Sequence, residues 1–183
     1  MKIRVSALLL AVSLTALSGC GMNESDDSGS KERSGDDPVA VRSIDESTSV
    51  TKKISSEVLE VIALKGEVSK PGPRVNRCPP DSDTTYKMLH PWSITGPSEA
   101  ELGKAMERLR DELPKKGWKI KHYGRNNSRA KSLELTADDD KRKFGVNVVF
   151  SKKSDNGKNP ALLLVNVVSA CYEVPEGQKV DTY

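Results

Sequence analysis

Residues 50–183 read as a single α+β domain: an antiparallel sheet of about five strands packed on one face by two helices, closed by one disulfide. Three observations predict it. Two stretches repeat apolar residues at helical spacing, five stretches alternate them at every second position, and the last four strands follow one another through short polar turns. A helix, a strand, a helix and then a run of strands is the order of an α+β layer, with the helices on one face of an antiparallel meander.

The first helix is carried by Ile54, Val58, Val61 and Ile62 at i, i+4, i+7 and i+8; the pattern covers residues 51–64 and stops near Gly66. Pro71, Pro73, Pro79 and Pro80 then enforce an irregular connection that holds Cys78, because proline fixes φ and lacks a backbone donor. Tyr86, Met88, His90, Trp92 and Ile94 alternate as a strand, which Pro91 demotes to an edge or a bulge. Ser98 with Glu101 is a capping box, and Leu102, Ala105, Met106, Leu109 and Leu113 make one helical face that ends at Pro114.

Trp118, Ile120 and His122 alternate in the next strand, Leu133, Leu135 and Ala137 in the one after it, and Phe144, Val146, Val148 and Phe150 in a third. Asp138, Asp139 and Asp140 read as a solvated hairpin turn. The last strand lies in the most apolar run, Ala161 to Cys171, where Leu163, Val165, Val167, Ser169 and Cys171 share a face.

The N-terminal part is of another kind. Lys2 and Arg4 precede an apolar run from Val5 to Leu17, and Leu17-Ser18-Gly19-Cys20 follows directly. A bilayer takes about 20 apolar residues to cross, so the shorter run reads as a signal peptide, residues 1–19. The tetrapeptide resembles the lipobox of bacterial lipoproteins. That resemblance implies cleavage before Cys20, a diacylglycerol on its thiol, and a protein held on the extracytoplasmic face of the cell membrane. Acyl chains contribute roughly 0.8 kcal/mol per buried methylene, so two or three of them anchor stably.

Residues 20–49 then read as the lipidated cysteine and a disordered acidic tether, Ser-, Asp- and Gly-rich, with eight acidic residues against three basic from Gly21 onward. Its root-mean-square reach is roughly 30 Å. The domain at 50–183 keeps a net positive charge, and all two Trp, four Tyr and two Phe lie at or after Tyr86.

With Cys20 assigned to the anchor, Cys78 and Cys171 remain in an exported domain, where disulfides persist, and they are expected to pair. Closing so long a loop contributes on the order of 4 to 5 kcal/mol in the chain-entropy model. Two separate buried thiols are the alternative; neither cysteine has a neighbouring Cys or His at metal-ligand spacing.

Chemistry-bearing patterns are few. His90 and His122, the only two histidines, each fall in register with the apolar face of a strand and read as partly buried packing residues. No G-x-S-x-G, Walker loop, dinucleotide fingerprint or CxxC occurs, so no catalytic residue, metal or cofactor is expected. Lys115, Lys116, Lys119, Lys121, Arg125, Arg129 and Lys131, interleaved with Trp118 and Tyr123, read first as a solvated outer strand face and, as the alternative, as a face for an anionic partner. Outside the membrane that partner is an envelope protein, an anionic polymer or lipid headgroups, and not nucleic acid. Asn126-Asn127-Ser128 reads as turn chemistry.

The full layout of lipobox, acidic tether, amphipathic helix, Cys78 in a Pro-rich loop, capped helix ending in LPKKGW, strands and a late Ala-Cys-Tyr resembles the small uncharacterised lipoproteins of actinobacteria. The resemblance implies no catalytic residue. The expected function is therefore a non-catalytic, membrane-anchored binding or envelope-associated module. A carrier of lipid or other apolar ligand, and an envelope hydrolase built on His90 or His122, are the alternatives.

Overall fold

The computed structural model describes residues 39–69, 71–80, 82–154 and 157–181; the expected signal peptide and Cys20 lie outside them. Helix α1 spans Ile44–Ile62, β1 Glu67–Val68, β2 Arg74–Arg77, β3 Thr85–Thr95, α2 Glu99–Glu112, β4 Lys119–Arg125, β5 Leu133–Asp139, β6 Phe144–Ser151, β7 Leu162–Ser169 and β8 Tyr172–Glu173. The eight strands form one antiparallel sheet in the order β1-β3-β7-β6-β5-β4, with β2 and β8 also paired to β3. The expected meander is β4 to β7, and β3 joins it beside β7.

Helix α1 begins seven residues earlier than its apolar stripe, inside the stretch expected to be tether. Ser43 caps it, its side chain accepting from Glu46 N at 3.2 Å, and Asp45 and Glu46 complement the positive end of the helix. The stripe gives no sign of this turn because the residues buried there are Ser47 and Thr51, both fully inaccessible. Ser47 Oγ lies 2.7 Å from the Tyr86 hydroxyl, and Thr51 Oγ1 donates to the Ser47 carbonyl at 2.7 Å. Helix α2 has the expected capping box: Ser98 and Glu101 satisfy each other's backbone donors.

Both helices pack on one face of the sheet, around Val58, Ile62, Leu102, Met106, Leu109, Trp92, Leu135, Val148 and Val165. Arg108 of α2 donates to the Ile62 carbonyl and so satisfies an orphan acceptor at the end of α1. A second, smaller core joins Tyr86, Met88, Tyr172, Val174 and Val180. The Cys78–Cys171 disulfide closes that region, with Cα atoms 6.0 Å apart and a sequence separation of 93. The bridge ties the loop ahead of β3 to the end of β7.

Pro91 is tolerated in the body of β3 because of where its missing donor points. Ser93, two residues on, exchanges bonds with Ser69: it donates to Ser69 Oγ at 2.8 Å and accepts from Ser69 N at 2.9 Å. Pro91 has the same outward parity and faces the break between β1 and β2, where no ladder bond is needed.

The turn expected at Asp138–Asp140 begins later: Asp138 and Asp139 are the last residues of β5, paired with Gly145 and Phe144, and only Asp140 lies in the turn. Asp139 is not solvated but 3 % exposed, and it receives Arg142 N at 2.8 Å and Arg142 Nε at 2.5 Å. The same guanidinium reaches Glu57 of α1 at 2.5 Å and lies over Trp118. A local turn thereby fastens α1 to the far strands of the sheet.

Candidate functional site

The seven basic residues expected to form one face are divided by the structure. Lys115 and Lys116 sit in a single 3₁₀ turn after α2, and Lys115 Nζ lies 2.7 Å from Glu112. Lys119 and Lys121, at the start of β4, are 2.8 Å from Asp140 and 3.9 Å from Asp138. The Asp140 carboxylate, by hydrogen bond and then by charge, holds the Lys119 ammonium above its ordinary pKa. Lys119 and Lys121 are thus answered by Asp140 and Asp138, and Lys115 by Glu112, so these three do not offer an uncompensated charge.

The other three, Arg125, Arg129 and Lys131, lie at the far end of β4 and in the loop to β5. Asn126 Oδ1 accepts from Ser128 N at 3.2 Å and from Ser128 Oγ at 2.6 Å, the turn chemistry expected of Asn126-Asn127-Ser128. Lys131 N then bonds Ser128 O at 3.0 Å, and Lys131 takes φ +48°. That left-handed conformation costs a non-glycine residue about 1 kcal/mol. It is held by Arg125 Nη1, which donates to the Lys131 carbonyl at 2.8 Å.

The bent loop closes a hollow of about 290 Å³ lined by Arg125, Ala130, Lys131, Ser132, Leu133, Phe150 and Lys152. Arg125, Leu133 and Phe150 are side by side in register across β4, β5 and β6, so the floor is apolar and the rim cationic. Three cations and one hydroxyl line it, and no carboxylate does. Lys152, beyond the end of β6, had no mark in the sequence apart from its place in a basic loop. The chemistry such a hollow suits is an anion carried on an apolar or flexible body.

This corner stands at one end of the sheet. The chain enters at the other, where Val41 bridges Glu173 and Arg42 N donates to Glu173 O at 2.8 Å. A strand of eight residues such as β6 spans roughly 24 Å between those ends.

The two histidines do not meet: β7, β6 and β5 separate β3 from β4. His122 also departs from its expected face. The pairing of β4 with β5 shifts between Ile120 and His122, and the extra residue, Lys121, reverses the alternation. Tyr123 turns inward onto the core in its place, and His122 is exposed.

His90 keeps the helix face and is half-buried. Its Nε2 lies 2.9 Å from the Pro71 carbonyl, which can only accept, so Nε2 carries the proton and Nδ1 accepts from Ser55 Oγ at 2.7 Å. Burial first, then the nearby Lys52, holds its pKa below the ordinary value, against the Pro71 bond that raises it. A cleft of about 410 Å³ runs past this pair, between Lys52, Ser56 and Leu59 of α1 and Val68, Ser69, Pro71 and Pro73. A serine hydroxyl on a neutral imidazole is the contact of a base-assisted nucleophile. Ser55, however, sits in the middle of α1, where backbone N–H groups are committed to the helix and none is left to hold an oxyanion. What the pair does locally is join α1, β3 and the β1–β2 connection at one point.

Among the described residues, no group of three His, Cys, Asp or Glu side chains is placed to hold a metal ion. No described helix is long and apolar enough to cross a membrane. Comparison of the chain with protein-family models, with curated proteins and with solved structures finds no match in any of the three.

Proposed function

We propose that the protein is a lipoprotein anchored through Cys20 on the extracytoplasmic face of the cell membrane, and that its domain is a non-catalytic binding module for an anionic polymer of the envelope. The observation that carries the binding reading is the Arg125–Lys131–Lys152 corner: three cations around an apolar floor, with no carboxylate in the lining. The acidic residues between Gly21 and Asp37 would keep the tether itself from an anionic surface.

The test is binding of the full mature chain, reconstituted in phosphatidylcholine vesicles, to inorganic polyphosphate with neutral dextran as the control polymer. Arg125→Gln, Lys131→Gln and Lys152→Gln combined should weaken polyphosphate binding at least tenfold, about 1.4 kcal/mol, and flatten its salt dependence. Lys115→Gln with Lys119→Gln, which removes two charges already answered by carboxylates, should change it little. Equal loss in both variants would reduce the corner to general charge, and no loss in the triple variant would overturn the reading. Intact mass of the membrane-extracted chain tests the anchor separately: a chain beginning at Cys20 with added acyl mass supports it, and an unmodified cysteine overturns it.

A further inference from the structure

The chain holds 29 basic and 26 acidic residues, yet β6 and β7 carry no charge anywhere along their lengths. The outward side of these strands carries Val149, Leu162, Leu164 and Val168 beside Asn147 and Asn166, an uncharged and largely apolar patch. Here α1 and α2 cover one face only. On the other, Leu164 is 49 % exposed, and Leu89, Val149, Leu162 and Val168 around it are half-buried. Asn147 and Asn166 stand opposite each other at the centre of this patch. Charge returns at its two sides. One row of the sheet runs Arg74, Leu89, Val168, Gly145, Asp138 and Lys119 across β2, β3, β7, β6, β5 and β4, with a cation on β2 and a carboxylate on β5 beside the Lys119 of the edge strand.

We infer that this face is a homodimer interface, covered by a second copy packed sheet to sheet about a two-fold axis parallel to β7. Rotation about that axis turns the two faces together, keeps each row at its own level and exchanges the two sides. Strand β7 then lies over β7, β3 over β6, and β2 over β5. Arg74 of each copy meets Asp138 of the other, which also lies 3.9 Å from its own Lys121. The exposed Leu164 residues come together at the axis. Beside each is a hollow of about 370 Å³ between Arg74, Pro91, Asn147 and Asn166, one outward-facing row along the strands from Leu164. Asn166 apposes Asn166, and one polar pair within an apolar patch sets the register at which the sheets lock. Aligned sheets pack about 10 Å apart, the distance at which such side chains interdigitate. The contact is isologous and closes at two copies, so the patch is used up and does not propagate. The Arg125–Lys131–Lys152 corner lies on the helix side and stays open in the dimer.

The experiment is disulfide trapping of the full chain in its own membranes. Asn166→Cys places a thiol on the proposed axis, and mild oxidation with copper phenanthroline should give a reducible dimer in large excess over Glu60→Cys, on the exposed side of α1. Arg74→Asp or Asp138→Arg in the Asn166→Cys background should lower trapping about tenfold, and the two together should restore it. All five variants need the parent's cooperative melting transition, so that a misfolded chain is not read as a monomer. Trapping no greater than at Glu60, or a charge reversal that the second change does not rescue, overturns the proposal. So does a parent chain that sediments as a monomer in mild detergent. Loss of polyphosphate binding is not among these outcomes, so the two readings fail independently.

Discussion

Ser55 Oγ lies 2.7 Å from His90 Nδ1, and the opposite nitrogen of the same ring lies 2.9 Å from the Pro71 carbonyl. One neutral imidazole thus joins helix α1 to the connection between β1 and β2. Burial keeps its folded pKa below the 6.5 of a free histidine, so below that pH the unfolded chain binds more protons than the folded one. The stability His90 contributes is complete above about pH 6.5 and is lost as pH falls through the folded pKa. Denaturant midpoints from pH 7.5 down to pH 5 should therefore fall more steeply for the parent than for His90→Gln. Parallel slopes would remove His90 from the account.

Gly66 and Gly103 make opposite predictions for the same substitution. A Cβ at Gly66 would lie 2.4 Å from the Thr95 carbonyl and 2.9 Å from atoms of Ile94 and Pro97, at the pairing of β1 with β3. Gly66→Ala should destabilise by about 1 to 3 kcal/mol because backbone must move. At Gly103, inside α2, nothing lies within 4 Å, and Gly103→Ala should stabilise by roughly 0.5 to 1 kcal/mol through helix propensity. Urea unfolding of both variants is the check, and a shared sign would contradict it.

The Tyr86 hydroxyl lies 2.7 Å from Ser47 Oγ, 2.8 Å from the Arg42 carbonyl and 2.9 Å from the Ser43 carbonyl. The ring is fully buried, and its burial raises the phenol pKa. Tyr86→Phe leaves the Ser47 hydroxyl buried without that partner and should cost about 1 to 3 kcal/mol. Amide hydrogen exchange locates the loss: protection should fall first at Ser47 and Val50. Faster exchange confined to α2 would contradict the role given to Tyr86.

Arg142 joins Asp139, which is buried, to Glu57, which is partly exposed. Arg142→Met keeps much of the packing on Trp118 but strands the Asp139 carboxylate, and should destabilise by roughly 2 to 4 kcal/mol. Adding Asp139→Asn removes the stranded charge and should recover part of that loss. A double-mutant cycle measures the coupling, and strict additivity would mean that the pair contributes no more than its separate parts.

The elements legible in the sequence were those whose burial follows a simple period. The capping box at Ser98, the stripe from Leu102 to Leu109 and the alternation of β5, β6 and β7 each reflect one buried face, and one buried face writes itself into the chain at period 3.6 or 2. The pairing of Cys78 with Cys171 was legible from the cysteine count, with Cys20 set aside for the expected anchor. Strands β1, β2 and β8 left no such mark, since two to four residues are too short to show a period. The first turns of α1 were hidden because Ser47 and Thr51 are buried on hydrogen bonds and not on apolar surface.

Sequence alone determined the α+β class, the meander and the single bridge, because these follow from local periodicity and from residue counts. Tertiary structure decided where charges and histidines end up, because that depends on which strands become neighbours and on single-residue shifts in register. One bulge at Lys121 carried His122 to the open face. Asp140 and Asp138 answered Lys119 and Lys121 but not Arg125, Lys131 and Lys152. The uncharged length of β6 and β7 was plain in the chain. Only the placement of both helices on one side left half of it uncovered.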